Sequence, residues 1–300
     1  MLCYNFFMEK ITQVGDEFVK SLFPPKKSDS NKGSYGTLLI IGGSARYAGA
    51  PLLASLGAAA LTTGCGIATL AVPDFLLPAM WQRITHCTLY PLKSNDGFIL
   101  LDTSQINDAC NKPTAVIFGM GIGFHSQIAQ LEQYLIETLE KPLLIDADGL
   151  NCLAENVDML KKREAPTVLT PHIGEMARLL KTDTKTIKEN KIQVAVNFAK
   201  EYGVTLLLKD NVSIITDGTR VAVNEAGTPA MAKGGSGDLL SGIIGGLLAR
   251  KIDTFSAAAA GAYIAGKAAE KAVKDSNEYS LLPAETATYV KDVVTEIIKG

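Results

Sequence analysis

A glycine-rich loop that ends in an aspartate is the part of this sequence best suited to chemistry. Residues 233–238 read Lys-Gly-Gly-Ser-Gly-Asp and run into the apolar stretch 239–248, which is typical of a buried helix. Glycines before a helix allow backbone N–H groups to converge on an anion, and the helix dipole adds positive potential there. Asp238 could then accept the proton of a hydroxyl group beside a bound phosphate. The pattern indicates phosphoryl transfer to an alcohol; the alternative is an ordinary helix N-cap at Asp238.

Several other segments with polar or glycine residues directly follow short apolar runs that predict buried strands. In open α/β sheets, ligands bind at the carboxyl ends of the strands, so we expect these segments to gather at one edge. They are residues 42–44, 119–123, 146–148, 170–175 and 209–213. The run at 119–123 resembles the start of a dinucleotide fingerprint, but Phe124 occupies the last glycine position. A hydride-transferring Rossmann protein is therefore a second, weaker hypothesis.

Three of these segments carry side chains that could handle phosphate and metal. Lys209 could reach phosphates, with Ser213 holding a ribose or adenine; the alternative is a polar turn around Asp210. Glu175 could hold magnesium through water, or could simply interact with a helix dipole. His172 is expected to start a helix with its ring exposed, and either a structural or a functional role is open to it.

The two aspartates after the strand at 143–145 are treated differently. Asp146 and Asp148 could contribute to a magnesium site, because carboxylates near nucleotide phosphates commonly do. The simpler interpretation makes Asp148 a helix cap, and we predict a structural role for Asp146.

Composition places the chain among α/β enzymes. It has 300 residues, 47% of them hydrophobic, and a formal charge of -2 without a basic block, so a nucleic-acid surface is not expected. Five scattered cysteines without a C-x-x-C pair suggest reduced thiols and a cytoplasmic protein. The short apolar start, residues 1–8, lacks the features of a signal peptide, and no apolar run reaches membrane-spanning length.

The order of predicted elements indicates an α/β fold with a mainly parallel central sheet and helices on both faces. A hairpin signal at Asp217-Gly218-Thr219 predicts an antiparallel edge. From residue 236 the pattern is helical to the end. We predict one domain over residues 1–300, in which 1–31 form an N-terminal helix and a connecting segment. Predicted strands are 37–41, 67–72, 115–118, 143–145, 167–169, 204–208, 212–216 and 220–223, and predicted helices include 50–63, 126–140 and 186–201.

Taken together, five motifs resemble the ADP/ATP-dependent NAD(P)H-hydrate dehydratases of the ribokinase-like superfamily. The resemblance extends from about residue 32 to 248, in the family's order and spacing. The motifs are Lys-Gly-Ser-Tyr-Gly at 32–36, Asp-Ala-Asp-Gly-Leu-Asn at 146–151, Leu-Thr-Pro-His-Ile-Gly-Glu at 169–175, Leu-Lys-Asp at 208–210 and Gly-Gly-Ser-Gly-Asp at 234–238.

This resemblance implies a repair reaction on a damaged cofactor. The S form of hydrated NADH or NADPH would be phosphorylated on its ring hydroxyl and would then lose phosphate. ADP, or alternatively ATP, would be the co-substrate and Mg²⁺ would assist. Asp238 would be catalytic and Glu175 would position the metal. Ala50, Gly121, His172 and Asp238 would contact the hydrated dinucleotide, and Lys209, Asp210, Asn211, Val212, Ser213, Gly235, Ser236 and Gly237 would bind the adenine nucleotide.

Departures from the family pattern and two further hypotheses accompany this interpretation. Asp210 and Met120 replace residues that are often glycine and proline in the family. Within the fold, the alternative is a small-molecule kinase similar to hydroxyethylthiazole kinase; a third class is a non-catalytic nucleotide-binding regulator. We expect a homo-oligomer, such as a tetramer, without membrane or nucleic-acid partners. The resemblance also implies an NAD(P)HX epimerase on a separate chain as a functional partner.

Overall fold

The computed structural model describes residues 11–58 and 63–300, and a ten-stranded sheet organises this part of the chain. The sheet order is β1-β12-β11-β10-β9-β8-β7-β2-β3-β4, and a two-stranded β5-β6 ribbon lies outside it. The strands are β1 Ile11–Gln13, β2 Thr37–Ile41, β3 Ile67–Pro73, β4 Thr88–Leu92, β5 Ser94–Asn95, β6 Phe98–Ile99, β7 Ala115–Phe118, β8 Leu143–Ile145, β9 Thr167–Leu169, β10 Thr205–Leu208, β11 Ser213–Thr216 and β12 Val221–Asn224.

Helices cover both faces of this sheet. They are α1 Asp16–Ser21, α2 Gly49–Ala58, α3 Leu77–Trp81, α4 Thr103–Asn111, α5 Ser126–Thr138, α6 Asp148–Leu153, α7 Ile173–Leu179, α8 Thr184–Glu189, α9 Lys191–Tyr202, α10 Ser236–Ala249, α11 Thr254–Lys274 and α12 Pro283–Lys299. Short 3-10 turns lie at Lys32–Tyr35, Asp74–Leu76, Val157–Lys162 and Pro229–Met231.

Alternating side chains of the central strands feed two separate cores. In β2, Leu38 and Ile40 pack with α10, α11 and α12, whereas Leu39 and Ile41 pack with α4, α5 and α9. A strand buried on both faces has to be apolar at every position, and residues 38–41 are fully buried. The predicted α/β sheet with helices on both faces is therefore confirmed.

The antiparallel edge is also confirmed, and it is formed by the predicted hairpin. β11 runs antiparallel to both β10 and β12, whereas every other paired neighbour in the described sheet is parallel. Beyond it, β1 pairs in parallel with β12. The expectation of only a helix and a connecting segment before residue 31 was wrong here, because α1 is preceded by this strand.

Two predicted helices differ from the observed ones. The helix predicted over 186–201 is two helices, α8 and α9, which meet at Asn190 with φ −138° and ψ 38°. An asparagine side chain competes for backbone hydrogen bonds and favours such a break. The helix predicted over 50–63 is observed as α2, and residues 59–62 lie outside the described chain, as do Cys3 and the apolar start at 1–8.

The sequence analysis also made predictions about the cysteines and about membrane-spanning segments, and the described residues bear on both. Cys65, Cys87, Cys110 and Cys152 are free thiols. None of the helices within residues 11–58 and 63–300 combines the length and hydrophobicity needed to cross a bilayer.

Candidate active site

The first turn of α10 presents free backbone N–H groups. The helix begins at Ser236, and its N-cap, Gly235, has a left-handed φ of 101° that favours glycine. The Ser236 N–H donates to the Lys233 carbonyl. Within the described residues, the N–H groups of Gly237 and Asp238 have no acceptor. Because both point out of a helix N-terminus, they can receive an anion.

Asp238 is the third residue of α10, so the alternative that it is the N-cap was wrong. Its carboxyl group is partly buried. Burial raises the pKa of Asp238 to about 7; the negative charges of Asp146 and Asp148 add to the rise, and the Lys209 ammonium opposes it. A carboxylate with a pKa near neutrality is well matched to accepting a proton from a hydroxyl group.

A buried ion pair lies directly below this helix tip. The Lys209 Nζ is 2.9 Å from Asp146 Oδ1, and Asp146 is 1% exposed. The Ser241 hydroxyl donates to Asp146 Oδ2 at 2.7 Å, so both carboxylate oxygens have partners. Burial tends to lower the pKa of Lys209, but the surrounding carboxylates of Asp146 and Glu175 outweigh it and raise the pKa overall. Lys209 therefore carries its charge into the site.

Gly237 leaves the space through which this lysine reaches the helix. A Cβ at position 237 would lie 3.3 Å from Lys209 Nζ and 3.5 Å from Asp146 Oδ2. A side chain at this position would therefore touch both members of the ion pair, with the closer contact at the lysine ammonium. Lys209, Asp146 and the first turn of α10 thus meet at one point.

His172 and Glu175 form the next part of the same edge. Lys209 N–H donates to the Pro171 carbonyl at 2.8 Å, which pairs the end of β10 with the segment before α7. His172 is the N-cap of α7, as predicted, and its ring is exposed. Its Nδ1 accepts from the N–H groups of Gly174 and Glu175. The ring proton therefore resides on Nε2, which lies 3.5 Å from Glu175 Oε1.

The charge state of this pair follows from its surroundings. Burial lowers the pKa of His172, and the nearby Lys209 and Arg178 charges lower it further, which keeps the ring neutral near pH 7. Glu175 Oε2 accepts from the His172 N–H at 2.8 Å, completing a capping box. Burial raises the pKa of Glu175, while Lys209 acts in the opposite direction. Glu175 is thus a helix-cap residue that also faces the lysine.

The residues predicted to contact the dinucleotide lie at the neighbouring loops. Gly121 has φ 62°, and a Cβ there would be 2.8 Å from the Ala50 Cβ and 2.7 Å from the Tyr47 Cβ. The Ser44 hydroxyl donates to the Gly121 carbonyl at 2.8 Å, fixing one loop to the other. Ala50 and Gly121 therefore lie next to each other, and their contact with the dinucleotide stays a prediction.

The loop at 119–123 is tied to the aspartates that follow β8. Asp148 Oδ2 accepts from the Gly123 N–H at 2.9 Å, so Asp148 is not the cap of α6 but an anchor for this loop. Ala147, between the two aspartates, has φ 55° and ψ −120°. Non-glycine residues avoid this backbone region, and holding one there costs about 1–3 kcal/mol.

The predicted nucleotide segment has two parts. Lys209 faces the helix tip, whereas the Asp210 carboxylate turns towards Lys191, with Nζ at 2.9 Å. The Ser213 hydroxyl donates to the Asp210 carbonyl at 3.2 Å, which closes the turn. Asn211 is exposed and Val212 is partly buried at its tip. The negative charge introduced by Asp210 is therefore compensated within the chain, and the segment remains open to solvent.

Two residues of this arrangement were underrated or missed from the sequence. Asp146 was predicted to be structural, yet it lies at the centre of the charged groups around Asp238. Ser241 was not singled out. The available signal was its position three residues after Asp238, where a polar residue interrupts an apolar helix.

Comparisons with known proteins agree with this geometry. A family model described as NAD(P)H-hydrate dehydratase matches residues 38–291. An ADP-dependent (S)-NAD(P)H-hydrate dehydratase of Neisseria meningitidis is 35% identical over 261 residues, which cover 85% of this chain and 83% of that one. Against two bifunctional NAD(P)H-hydrate repair enzymes, the chain spans about half of their length, 53% in each case.

Solved structures of two other proteins are similar in fold to this chain. The ADP/ATP-dependent NAD(P)H-hydrate dehydratase from Bacillus subtilis, co-crystallised with ATP and Mg²⁺, is 27% identical with a TM-score of 0.80, over 96% of this chain and 99% of that one. A ribokinase-like superfamily protein of Enterococcus faecalis, 20% identical, has a TM-score of 0.83 over 97% of both chains. The predicted ribokinase-like fold is confirmed.

Proposed function

The chain belongs to the NAD(P)H-hydrate dehydratase family, and from that premise we propose that it dehydrates the S form of NADHX or NADPHX to NADH or NADPH. An adenine nucleotide supplies the phosphoryl group. ADP is the proposed co-substrate, giving AMP and phosphate, because the Neisseria relative is named ADP-dependent. ATP is the alternative, in line with the Bacillus enzyme. The reaction class is that of a hydro-lyase driven by phosphoryl transfer.

The chemistry proceeds in two stages. The ring hydroxyl oxygen attacks the terminal phosphorus of the nucleotide, a P–O bond forms, and the bond to the nucleotide's bridging oxygen breaks. The hydroxyl proton passes to a base. In the second stage the C–O bond breaks, phosphate leaves with the bonding electrons, and the neighbouring ring carbon loses a proton as the double bond forms. Phosphate is a far better leaving group than hydroxide, which is why the nucleotide is consumed.

One observation carries this proposal: the Asp238 carboxyl, with its pKa raised to about 7, lies in the same helix turn as two free N–H groups. The amides of Gly237 and Asp238 would stabilise charge on the transferred phosphoryl group. Asp238 would accept the hydroxyl proton. Lys209, beside Gly237, would add positive charge at the same point.

Substrate and nucleotide are proposed to approach from opposite sides of the helix tip. The dinucleotide would contact Ala50 and Gly121, and the neutral His172 would donate from Nε2. The nucleotide would lie along the segment from Lys209 to Ser213, with Asp210, Asn211 and Val212 at its turn, and against Gly235, Ser236 and Gly237. The contact between Ala50 and Gly121 and the pairing of Asp210 with Lys191 support these assignments.

The residues of the site fit magnesium as an ion shared with phosphate. In the described chain, no cluster of three or more His, Cys, Asp or Glu residues could hold a metal ion by itself. Mg²⁺ is commonly bound through one or two carboxylates, substrate phosphates and water. Glu175 is the proposed carboxylate, acting through water. The bound ion would neutralise negative charge on the phosphates.

The kinase alternative would use the same helix tip but stop at a phosphorylated product. It has no observation of its own in its favour, whereas the family assignment supports the dehydratase.

The deciding experiment is recovery of the reduced-nicotinamide absorbance band. Purified protein is incubated with acid-hydrated NADPH, Mg²⁺ and either ADP or ATP. We expect recovery with a nucleotide, none without it, and one product phosphate per cofactor restored. Absence of recovery with both nucleotides, together with phosphorylation of a vitamin-precursor alcohol, would favour the kinase.

The cellular setting and assembly remain proposals. We propose one domain over the whole chain, a cytoplasmic location and a homo-oligomer, with a tetramer as the specific expectation. Light scattering that returned the mass of one subunit would refute the oligomer. An epimerase on a separate chain remains the predicted functional partner, since it would convert the R form of the hydrate to the S form.

A further inference from the structure

The buried carboxylate of Asp146 lies at the helix tip, and the proposed reaction assigns it no role. It is the first residue after β8, is 1% exposed, and has both oxygens engaged by Lys209 and Ser241. Burying a charge requires partners of this kind. Lys209 directly follows β10, and Ser241 lies in α10 together with Asp238. The place of Asp146 among the proposed reacting groups therefore calls for an explanation.

The position of the ion pair supplies that explanation. The Cβ position of Gly237 lies 3.3 Å from Lys209 Nζ and 3.5 Å from Asp146 Oδ2. The pair is therefore in contact with the helix turn whose N–H groups are free. Without Asp146, the Lys209 ammonium would lose the carboxylate to which it donates at 2.9 Å, and its flexible four-carbon stem could carry it away from this point.

The backbone around Asp146 shows a second, independent sign of constraint. Ala147 occupies a backbone region that a non-glycine residue avoids, with φ 55°. This turn sends Asp146 towards Lys209 and Ser241, and Asp148 towards the Gly123 N–H. Strain of this kind persists where the surrounding structure imposes it and concentrates at functional sites.

We propose that Asp146 is a positioning residue for the phosphoryl transfer: fixed by Ser241, it holds the Lys209 ammonium against the first turn of α10, beside Asp238. The inference rests on the proposed function, because it assigns Asp146 a role in that same reaction. Three charged groups act on Asp238, namely Asp146, Lys209 and Asp148. Removing the charge of Asp146 acts on the pKa of Asp238 in two opposite ways: loss of the like charge lowers it, and release of the Lys209 ammonium raises it.

The test compares Asp146→Asn and Ser241→Ala with Asp158→Asn, a control at an exposed surface pair with Lys161. In Asp146→Asn, kcat should fall on the order of 100-fold, because misplacing a positioning group has costs of that size. The low-pH limb of kcat should move little, because the release of Lys209 offsets the lost like charge; a carboxylate that did not hold Lys209 would shift the limb to lower pH when neutralised. Ser241→Ala keeps the charge, so we expect a smaller loss of kcat and an unshifted limb.

A readout without turnover separates this inference from the proposed function. With ¹³C-labelled aspartate, the Asp238 carboxyl signal is assigned by its loss in Asp238→Asn and then titrated. Its pKa should change little in Asp146→Asn, because loss of the like charge and release of the Lys209 ammonium act in opposite directions. If wild-type protein fails to restore NADPH, the proposed function is lost, and the titration still decides whether Asp146 holds Lys209 beside Asp238. A fall of the Asp238 pKa by about 1 unit or more in Asp146→Asn would show that Lys209 stays in place without Asp146, and would overturn the inference. A kcat of Asp146→Asn equal to that of the Asp158→Asn control would overturn it as well.

Discussion

Two carboxylates of this molecule are buried equally deeply and behave in opposite ways. Asp146, at the carboxyl edge of the sheet, and Glu132, in the middle of α5, are each 1% exposed. Asp146 has an ammonium and a hydroxyl as partners. Glu132 Oε1 has no hydrogen-bond partner within the described residues, and burial raises the pKa of Glu132 well above its usual range. Burial alone therefore does not determine the charge state; the partners do.

Asp238 lies between these two extremes. It is partly buried, it faces one cation and two like charges, and its pKa rises to about 7. A fully paired carboxylate can position another group, whereas burial raises the pKa of an unpaired one in a core well above its usual range. Only an incompletely compensated carboxylate changes its protonation state near neutral pH, which is what a catalytic base requires.

The largest effect on activity is expected when Asp238, the incompletely compensated carboxylate, is neutralised. In Asp238→Asn, kcat should fall by about 10²–10⁴-fold, because a general base contributes that much. Nucleotide affinity, measured by calorimetry, should stay close to that of wild type. The variant should also be more stable than wild type above pH 7: the raised pKa of Asp238 means that wild type loses stability as the pH rises through about 7.

Thermal unfolding at acidic and alkaline pH tests the second half of that expectation. Two results would contradict this expectation: wild-type turnover in Asp238→Asn, or a gain in stability over wild type that does not grow with pH. Either would show that Asp238 does not titrate near neutral pH as a catalytic base.

Removing Asp146, the paired carboxylate, should lower the stability of the protein. Asp146→Ala leaves Lys209, 21% exposed, without its principal partner, and we expect the free energy of unfolding to drop by about 3 kcal/mol. Urea unfolding at neutral pH measures this change. Replacing the unpaired acid with an apolar residue, Glu132→Met, is the matched comparison and should cost less or even stabilise. Equal losses of unfolding free energy in the two variants would contradict the distinction between the paired and the unpaired carboxylate.

Glu132, the unpaired carboxylate, should affect the pH dependence of stability rather than the activity. Because the folded-state pKa of Glu132 is raised, its contribution to stability is complete below the unfolded-state pKa and is lost as the pH rises. Glu132→Gln should therefore lack this loss, and its advantage over wild type should increase as the pH rises from about 4, the unfolded-state pKa, to neutrality. Urea unfolding across this range gives the slope. An identical pH dependence of both proteins would mean that Glu132 is paired after all.

The smallest effect is expected at the partly exposed pair on the nucleotide segment. Lys191→Met leaves Asp210 uncompensated, and we expect stability to change by at most about 1 kcal/mol. ADP affinity should decrease several-fold, because an unpaired negative charge then faces the phosphates. Calorimetry with ADP measures this decrease. Lys185→Met, at an exposed pair with Glu189, serves as the control, and an equal response of both variants would exclude Asp210 from the nucleotide site.

The features that could be predicted from sequence are those that local backbone chemistry dictates. Glycines before an apolar helix predicted the tip of α10 with Asp238, and strand-end polar residues predicted that the segments of His172 and Lys209 share one edge. The apolar runs predicted the central strands, because a strand that is buried on both faces must carry apolar side chains at every position. The match to the dehydratase family confirms that this set of motifs was specific.

What could not be predicted depends on distant partners. Asp146 bonds Lys209 across 63 residues and Ser241 across 95, and only the order of β8, β9 and β10 brings them together. The edge strand β1 has three residues and owes its conformation to β12. The break at Asn190 interrupts a pattern that is helical on both sides.

The pH dependence of wild-type kcat tests the central claim most directly. With hydrated NADPH, Mg²⁺ and saturating nucleotide, kcat should rise through a single ionisation at about pH 7, as Asp238 loses its proton. The limb should be absent from the residual activity of Asp238→Asn. A wild-type limb near the ordinary aspartate pKa of about 4, or the same limb in both proteins, would contradict the assignment of Asp238 as the base.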